Sequence, residues 1–98
     1  MAKTISIRME TVGQVCDYTS HVKLGAHMLR VRVHVDGYVS QSWGQIERWD
    51  GTQWHEVASL QGSSLAVNLE IAYAAGRKPS AFACDHERLV MLAMEILS

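Results

Sequence analysis

The amino-acid pattern predicts an α+β fold: a single antiparallel sheet of about five hairpin-connected strands packed on one C-terminal helix. Three observations lead there. Residues 29–35, "LRVRVHV", alternate strictly between apolar and basic. Residues 46–57, "IERWDGTQWHEV", place two short alternating runs on either side of Asp50-Gly51. Residues 85–98, "DHERLVMLAMEILS", bring apolar residues back at helical spacing. Period two marks strands and period 3.6 marks helices, so a chain that switches from one to the other pairs a sheet with a helix.

From the N-terminus, "KTISIRMET" sets Ile5, Ile7 and Met9 on one face and Ser6, Arg8 and Glu10 on the other, the pattern of a half-buried strand. Residues 12–28 contain Gly13 and Gly25 and no steady period, so they read as a long connection with at most a short strand around Val22. In "LRVRVHV", Leu29, Val31, Val33 and Val35 form the core side, while Arg30, Arg32 and His34 face outward. Asp36-Gly37 then supplies the positive φ of a tight hairpin turn. In the return strand Val39 and Trp43 are odd-numbered and Ile46 is even, so a bulge at Gly44 is expected to bring all three to one face.

Around "WDGTQW" the facing is the same for a loop of two residues or of four. Glu47, Trp49, Trp54 and Glu56 share the outer face, and Ile46, Arg48, His55 and Val57 share the other. "SLAVNLEIAY", residues 64–73, alternates at Leu65, Val67, Leu69, Ile71 and Tyr73 and is read as a strand, although its alanines favour helix. In the last segment Asp85 is the expected N-cap, with Glu87 at the positive end of the helix dipole. Leu89, Leu92, Ala93 and Ile96 form the expected buried stripe, widened by Val90 and Leu97.

With 98 residues, 48% of them apolar and 19% charged, the chain is expected to form one globular domain over 1–98. The net charge of -1 supplies no global field to draw it onto nucleic acid or an acidic membrane. "MAKTISIRME" lacks the apolar run of a signal peptide, which points to the cytoplasm. Cys16 and Cys84 then read as reduced thiols. Cys84, near a helix start, is the better candidate for an activated thiol, against the simpler role of small apolar filler.

A metal site would have to draw on Cys16, His21, His27, His34, His55, Cys84 and His86, and their spacing matches no zinc motif. No phosphate loop, nucleophile elbow or dinucleotide fingerprint occurs, so no cofactor and no catalytic residue is assigned. "WDGxxW" is similar to the blade hairpins of kelch-like propellers. One hairpin without a repeat cannot build a propeller, so this likeness is set aside.

What remains is a surface. Trp49 and Trp54 act either as a cross-strand staple or as a contact patch, since tryptophan is enriched at binding hot spots. Arg30, Arg32 and His34 form a basic stripe that could follow a phosphate backbone, but Glu47 and Glu56 on the same face would neutralise it. The favoured reading is a non-enzymatic protein–protein interaction module acting as a homodimer. Its partner is itself or another protein, and its contact residues are Trp49, Trp54, Arg30, Arg32, Glu47 and Glu56. A phage or mobile-element inhibitor or adaptor, binding a host protein or its nucleic-acid site, is the second reading. A small ligand-binding protein or enzyme using the concave sheet face is the third.

Overall fold

A computed structural model describes residues 2–98. Five antiparallel strands form one open meander in the order β1-β2-β3-β4-β5: Ala2–Val12, Val15–Leu24, His27–Val35, Trp43–Trp49 and Trp54–Gln61. A short helix α1, Leu69–Ala74, follows, and the C-terminal helix α2, Ala83–Leu97, packs over β3, β4 and β5. The α+β architecture is the expected one, but one of its strands comes from a different segment.

That strand is β2. Residues 12–28 form no long connection. They form a ten-residue strand between two tight turns, with Val12 paired to Val15 and Leu24 to His27. Gly13 and Gly25 hold the first turn positions at φ 59° and 60°, where a side chain would be strained. The inward row of β2 is Cys16, Tyr18, Ser20 and Val22, all buried. Two of these carry hydroxyls, which hides the alternation from a hydrophobicity reading. The hydroxyls are satisfied by His86 on α2, with Tyr18 Oη and Ser20 Oγ lying 2.9 and 3.1 Å from its Nδ1. Burial holds the His86 pKa below its ordinary value and raises that of Tyr18. A neutral imidazole is the form whose Nδ1 can accept a hydroxyl proton.

Residues 64–75 are not a strand. Leu65–Val67 form a loop, and α1 starts behind Asn68, whose side chain accepts from Ile71 N at 2.9 Å. Glu70 lies in the first turn, near the positive end of the dipole. The chain leaves this helix through Gly76 and Arg77, both at positive φ. Ile71 and Tyr73 are exposed, so the apolar alternation of this stretch is coincidental.

Asp85 is not an N-cap. A 3-10 turn, Pro79–Phe82, leads directly into α2, and Asp85 sits within its first turn, fully buried. Its carboxylate accepts from Ala66 N and Val67 N, each at 2.8 Å, and so ties the loop before α1 to α2. The buried stripe of α2 is Leu89, Val90 and Ala93. Leu92 and Leu97 pack at its margin, and Ile96 points to solvent.

Three strand details differ from expectation. β1 bulges between Thr4 and Ser6, which separates Ile5 from the row of Ile7 and Met9. Asp36-Gly37 does not make a tight hairpin, because the β3–β4 connection includes a 3-10 turn at Val39–Gln41 and Gly37 has no positive φ. The bulge expected at Gly44 lies instead on β5, where Val57 is the extra residue between the pairs Ile46–Ala58 and Glu47–Glu56. Trp43 therefore lies opposite His34 on the outer face, away from Ile46. Gly44 pairs with Val33 and Leu60 and lets the covering layer approach: a β-carbon there would stand 3.1 Å from Leu65 and 3.4 Å from Leu89.

A tighter contact occurs at Gly62, in the 3-10 turn Gly62–Ser64 that follows β5. A β-carbon there would fall 1.8 Å from the carbonyl oxygen of Val39. Since that atom is backbone, Gly62→Ala must move one turn off the other. A loss at or above the ~1–3 kcal/mol of ordinary overpacking is expected. Urea denaturation measures it, and an unchanged midpoint would mean that the two turns do not touch.

Candidate functional site

The helices cover one face of the sheet and leave the other bare. Register assigns the bare face without ambiguity. Glu47 lies opposite Glu56, Trp49 opposite Trp54, Arg30 opposite Glu47 and Arg32 opposite Gln45. Ile46 is fully buried beneath, and Val57 packs against the same core. All six residues proposed from sequence thus stand together on the outer face.

Their centre is Glu47. It is only 7% exposed although it lies on the uncovered face, because its neighbours close over it. Arg30 Nε donates to Glu47 Oε1 at 2.9 Å, and Arg32 Nε lies 3.0 Å from the same oxygen. Each guanidinium also rests on an indole: that of Arg30 is 4.5 Å from the Trp54 ring centre, and that of Arg32 is 5.6 Å from the Trp43 ring centre. One carboxylate, two arginines and two tryptophans therefore interlock. Each cation–π contact contributes roughly 0.5–1 kcal/mol where solvent reaches it.

The basic stripe is neutralised, though not by both glutamates. Glu47 takes both arginines. Glu56 is reached through Gln45, which donates to Glu56 Oε1 at 3.1 Å when its amide oxygen faces Arg32. The third member, His34, pairs through Nδ1 with Asp17 at 2.7 Å and stacks on Trp43 with ring centres 5.6 Å apart. A strand that tracks phosphates needs cations free to meet them, and here both arginines face a carboxylate of their own chain.

Trp49 and Trp54 pack on each other, ring centres 5.3 Å apart and planes inclined at 55°. They border a shallow groove of about 560 Å³ that reaches the start of β1 and is lined by Ile5, Ser6, His21, Met28, Trp49 and Trp54. Its walls are mostly apolar side chains, and the Ser6 hydroxyl lies 3.2 Å from His21 Nδ1. Trp49 remains 39% exposed after making these contacts. Ile5, Ser6, His21 and Met28 escaped the sequence reading. His21 was hidden with β2 as a whole. The bulge that turns Ile5 outward breaks the very alternation used to place it.

The turn beyond the tryptophans is built by Asp50. Its carboxylate accepts from Thr52 N at 2.7 Å and Gln53 N at 2.8 Å, and it pairs with His55. These backbone donors hold its pKa far below the ordinary carboxylate range. These bonds close the turn from which Trp49 and Trp54 enter the groove.

The structure disperses the candidate metal ligands. Cys16 is buried under the sheet and Cys84 is exposed on α2, both as free thiols. His21, His34, His55 and His86 each bond a different partner. Among the described residues, no three His, Cys, Asp or Glu side chains gather at one point, and no helix is long and apolar enough to cross a membrane. Compared with known families, curated proteins and solved structures, the chain shows no significant match.

Proposed function

We propose that this chain is a non-enzymatic protein-interaction module that works as a homodimer, and that the outer face of the sheet, with Trp49 and Trp54 on it, forms or borders the contact between the two copies. One observation supports this reading above the rest: an apolar groove with partly exposed tryptophans on a face that no element among the described residues covers. Tryptophan and arginine are enriched at interface centres, and polar groups lie at the rim. A second copy is the simplest occupant, because closed two-fold dimers are the commonest assemblies. The near balance of positive and negative side chains on this face, with Arg8, Arg30 and Arg32 against Glu10, Glu47 and Glu56, suits a surface that must meet itself.

Replacing Trp49 and Trp54 together by serine is the test. The fold should persist, because both rings lie outside the core, with a loss of order 0.5–1.5 kcal/mol from their mutual contact. Sedimentation should shift towards monomer. Should the double variant unfold, Trp49→Ser alone gives the same reading with the more buried Trp54 left in place. A folded variant that still dimerises like the wild type reduces the tryptophans to a hairpin staple. If it also loses binding of an apolar dye, the groove serves a small ligand instead.

A further inference from the structure

β1 is an edge strand, so among the described residues the backbone groups along its outer rim have no partner strand. The opposite edge, β5, is shorter and interrupted midway by the bulge at Val57. β1 bulges only near its start and then runs in unbroken register from Ser6 to Val12. Of this run, Ile7, Met9 and Thr11 lie opposite Ser20, Tyr18 and Cys16, on the helix side of the sheet. Arg8 and Glu10 lie opposite Thr19 and Asp17, on the outer side. α2 packs over β3 to β5, and Ile7 is left 47% exposed on the side the helices should cover. An unbroken edge with an uncovered apolar shelf is a surface that natural sheets normally blunt or pair.

The pentad Ile7-Arg8-Met9-Glu10-Thr11 complements itself when run antiparallel about Met9. On the outer side Arg8 meets the partner's Glu10, and Glu10 meets the partner's Arg8. On the helix side Met9 meets the partner's Met9, and Ile7 meets the partner's Thr11. A two-fold at Arg8 or Glu10 would set like charges against each other, and one at Ile7 would give neither ion its opposite. The Met9 register does one thing more. It brings Val12, 78% exposed at the tip of the β1–β2 hairpin, opposite the partner's Ser6. Ser6 is a wall of the tryptophan groove. The hairpin tip of each copy would thus lie at the mouth of the groove on the other.

We infer that two copies join edge to edge by antiparallel pairing of β1 about Met9, making one continuous sheet and setting Val12 of each copy beside the Trp49–Trp54 groove of its partner. This rests on the homodimer reading above and specifies its contact. It also supplies both things that the chain alone leaves open: a partner for the β1 edge and a cover for the groove.

Charge exchange tests the register. Arg8→Glu puts glutamate opposite glutamate across the two-fold, and Glu10→Arg puts arginine opposite arginine. Each variant alone should dimerise about tenfold or more weaker than the wild type, since two cross-strand pairs turn from attraction to repulsion. Mixed together, the two variants form complementary pairs at both positions. Native mass spectrometry should then show dimers containing one copy of each at wild-type concentrations. The Arg8–Glu10 pair within one strand cannot produce that recovery, because each variant lacks it in the mixture as well.

A second measurement is independent of charge. Met9→Cys in a Cys84→Ser background should cross-link two copies under mild oxidation, because a residue on the two-fold faces its own counterpart at a Cα separation of ~4.5–5.5 Å, within disulfide reach. Arg8→Cys in the same background should not. If both charge variants dimerise like the wild type, or the mixture fails to recover, the β1 contact is wrong, while a dimeric wild type would leave the homodimer reading standing. A wild type that stays monomeric at every concentration overturns both.

Discussion

Truncating Leu89 to alanine should destabilise the fold by about 2–5 kcal/mol, whereas Ile96→Ala should change it by no more than about 0.5 kcal/mol. Both residues belong to the apolar periodicity of α2, and sequence spacing alone ranks them as equals. The structure separates them. Leu89 is fully buried, facing the gap that Gly44 leaves in β4, while Ile96 is 56% exposed in the last turn. The cavity left by Leu89→Ala cannot easily collapse, because the sheet behind it is held by ladders on both sides. For a protein of this size, whose total stability is of order 5–15 kcal/mol, that loss would be a large share. Guanidinium midpoints of the two variants give the comparison directly. Equal losses would mean that α2 is rotated about its axis relative to the sheet.

Asp85→Ala should have an effect as large, because it removes two charge-assisted bonds to backbone N–H groups at about 1.5–3 kcal/mol each. Asp85 is completely enclosed, and its two oxygens satisfy the Ala66 and Val67 amides, while Arg88 Nη1 lies 3.0 Å from Oδ1 and also donates to Ser64 O at 2.6 Å. Alanine would leave the buried Val67 N–H with no acceptor and free the loop before α1. Asp85→Asn should fall between, since a neutral amide can accept from one of the two backbone donors but presents N–H groups to the other. Hydrogen exchange at Ala66 and Val67 separates this from a general loss of stability. In Asp85→Ala those two amides should exchange faster than the β3 amides, and uniform acceleration across the chain would refute the local tie.

The comparison of Leu89 with Ile96 and the altered role of Asp85 show where local pattern stops being informative. Alternation in residues 29–35 placed β3 and its two faces correctly, because every inward residue there is aliphatic and every outward one is polar. Parity around Asp50-Gly51 likewise placed Glu47, Trp49, Trp54 and Glu56 on one face, whatever the length of the turn. The periodicity of residues 85–97 identified a helix, whereas the alternation of residues 64–73 concealed the short helix α1.

The remaining features depend on partners distant in sequence. β2 looked patternless because Tyr18 and Ser20 are buried polar residues whose hydrogen-bond partner, His86, lies 68 and 66 positions away. Asp85 is caught by the loop packed against it, so a residue type that favours caps became a buried anchor instead. Bulges at Ile5 and Val57 shift parity by one residue, which a period-two reading cannot detect from inside the strand. The groove draws its walls from all five strands, from Ile5 and Ser6 on β1 to Trp54 on β5, so no single stretch of sequence displays it. Local alternation settles which side chains point outward from each strand. The strand register, the long-range hydrogen bonds and the covering helix settle which of those side chains meet, since burial and distance are properties of the assembled sheet.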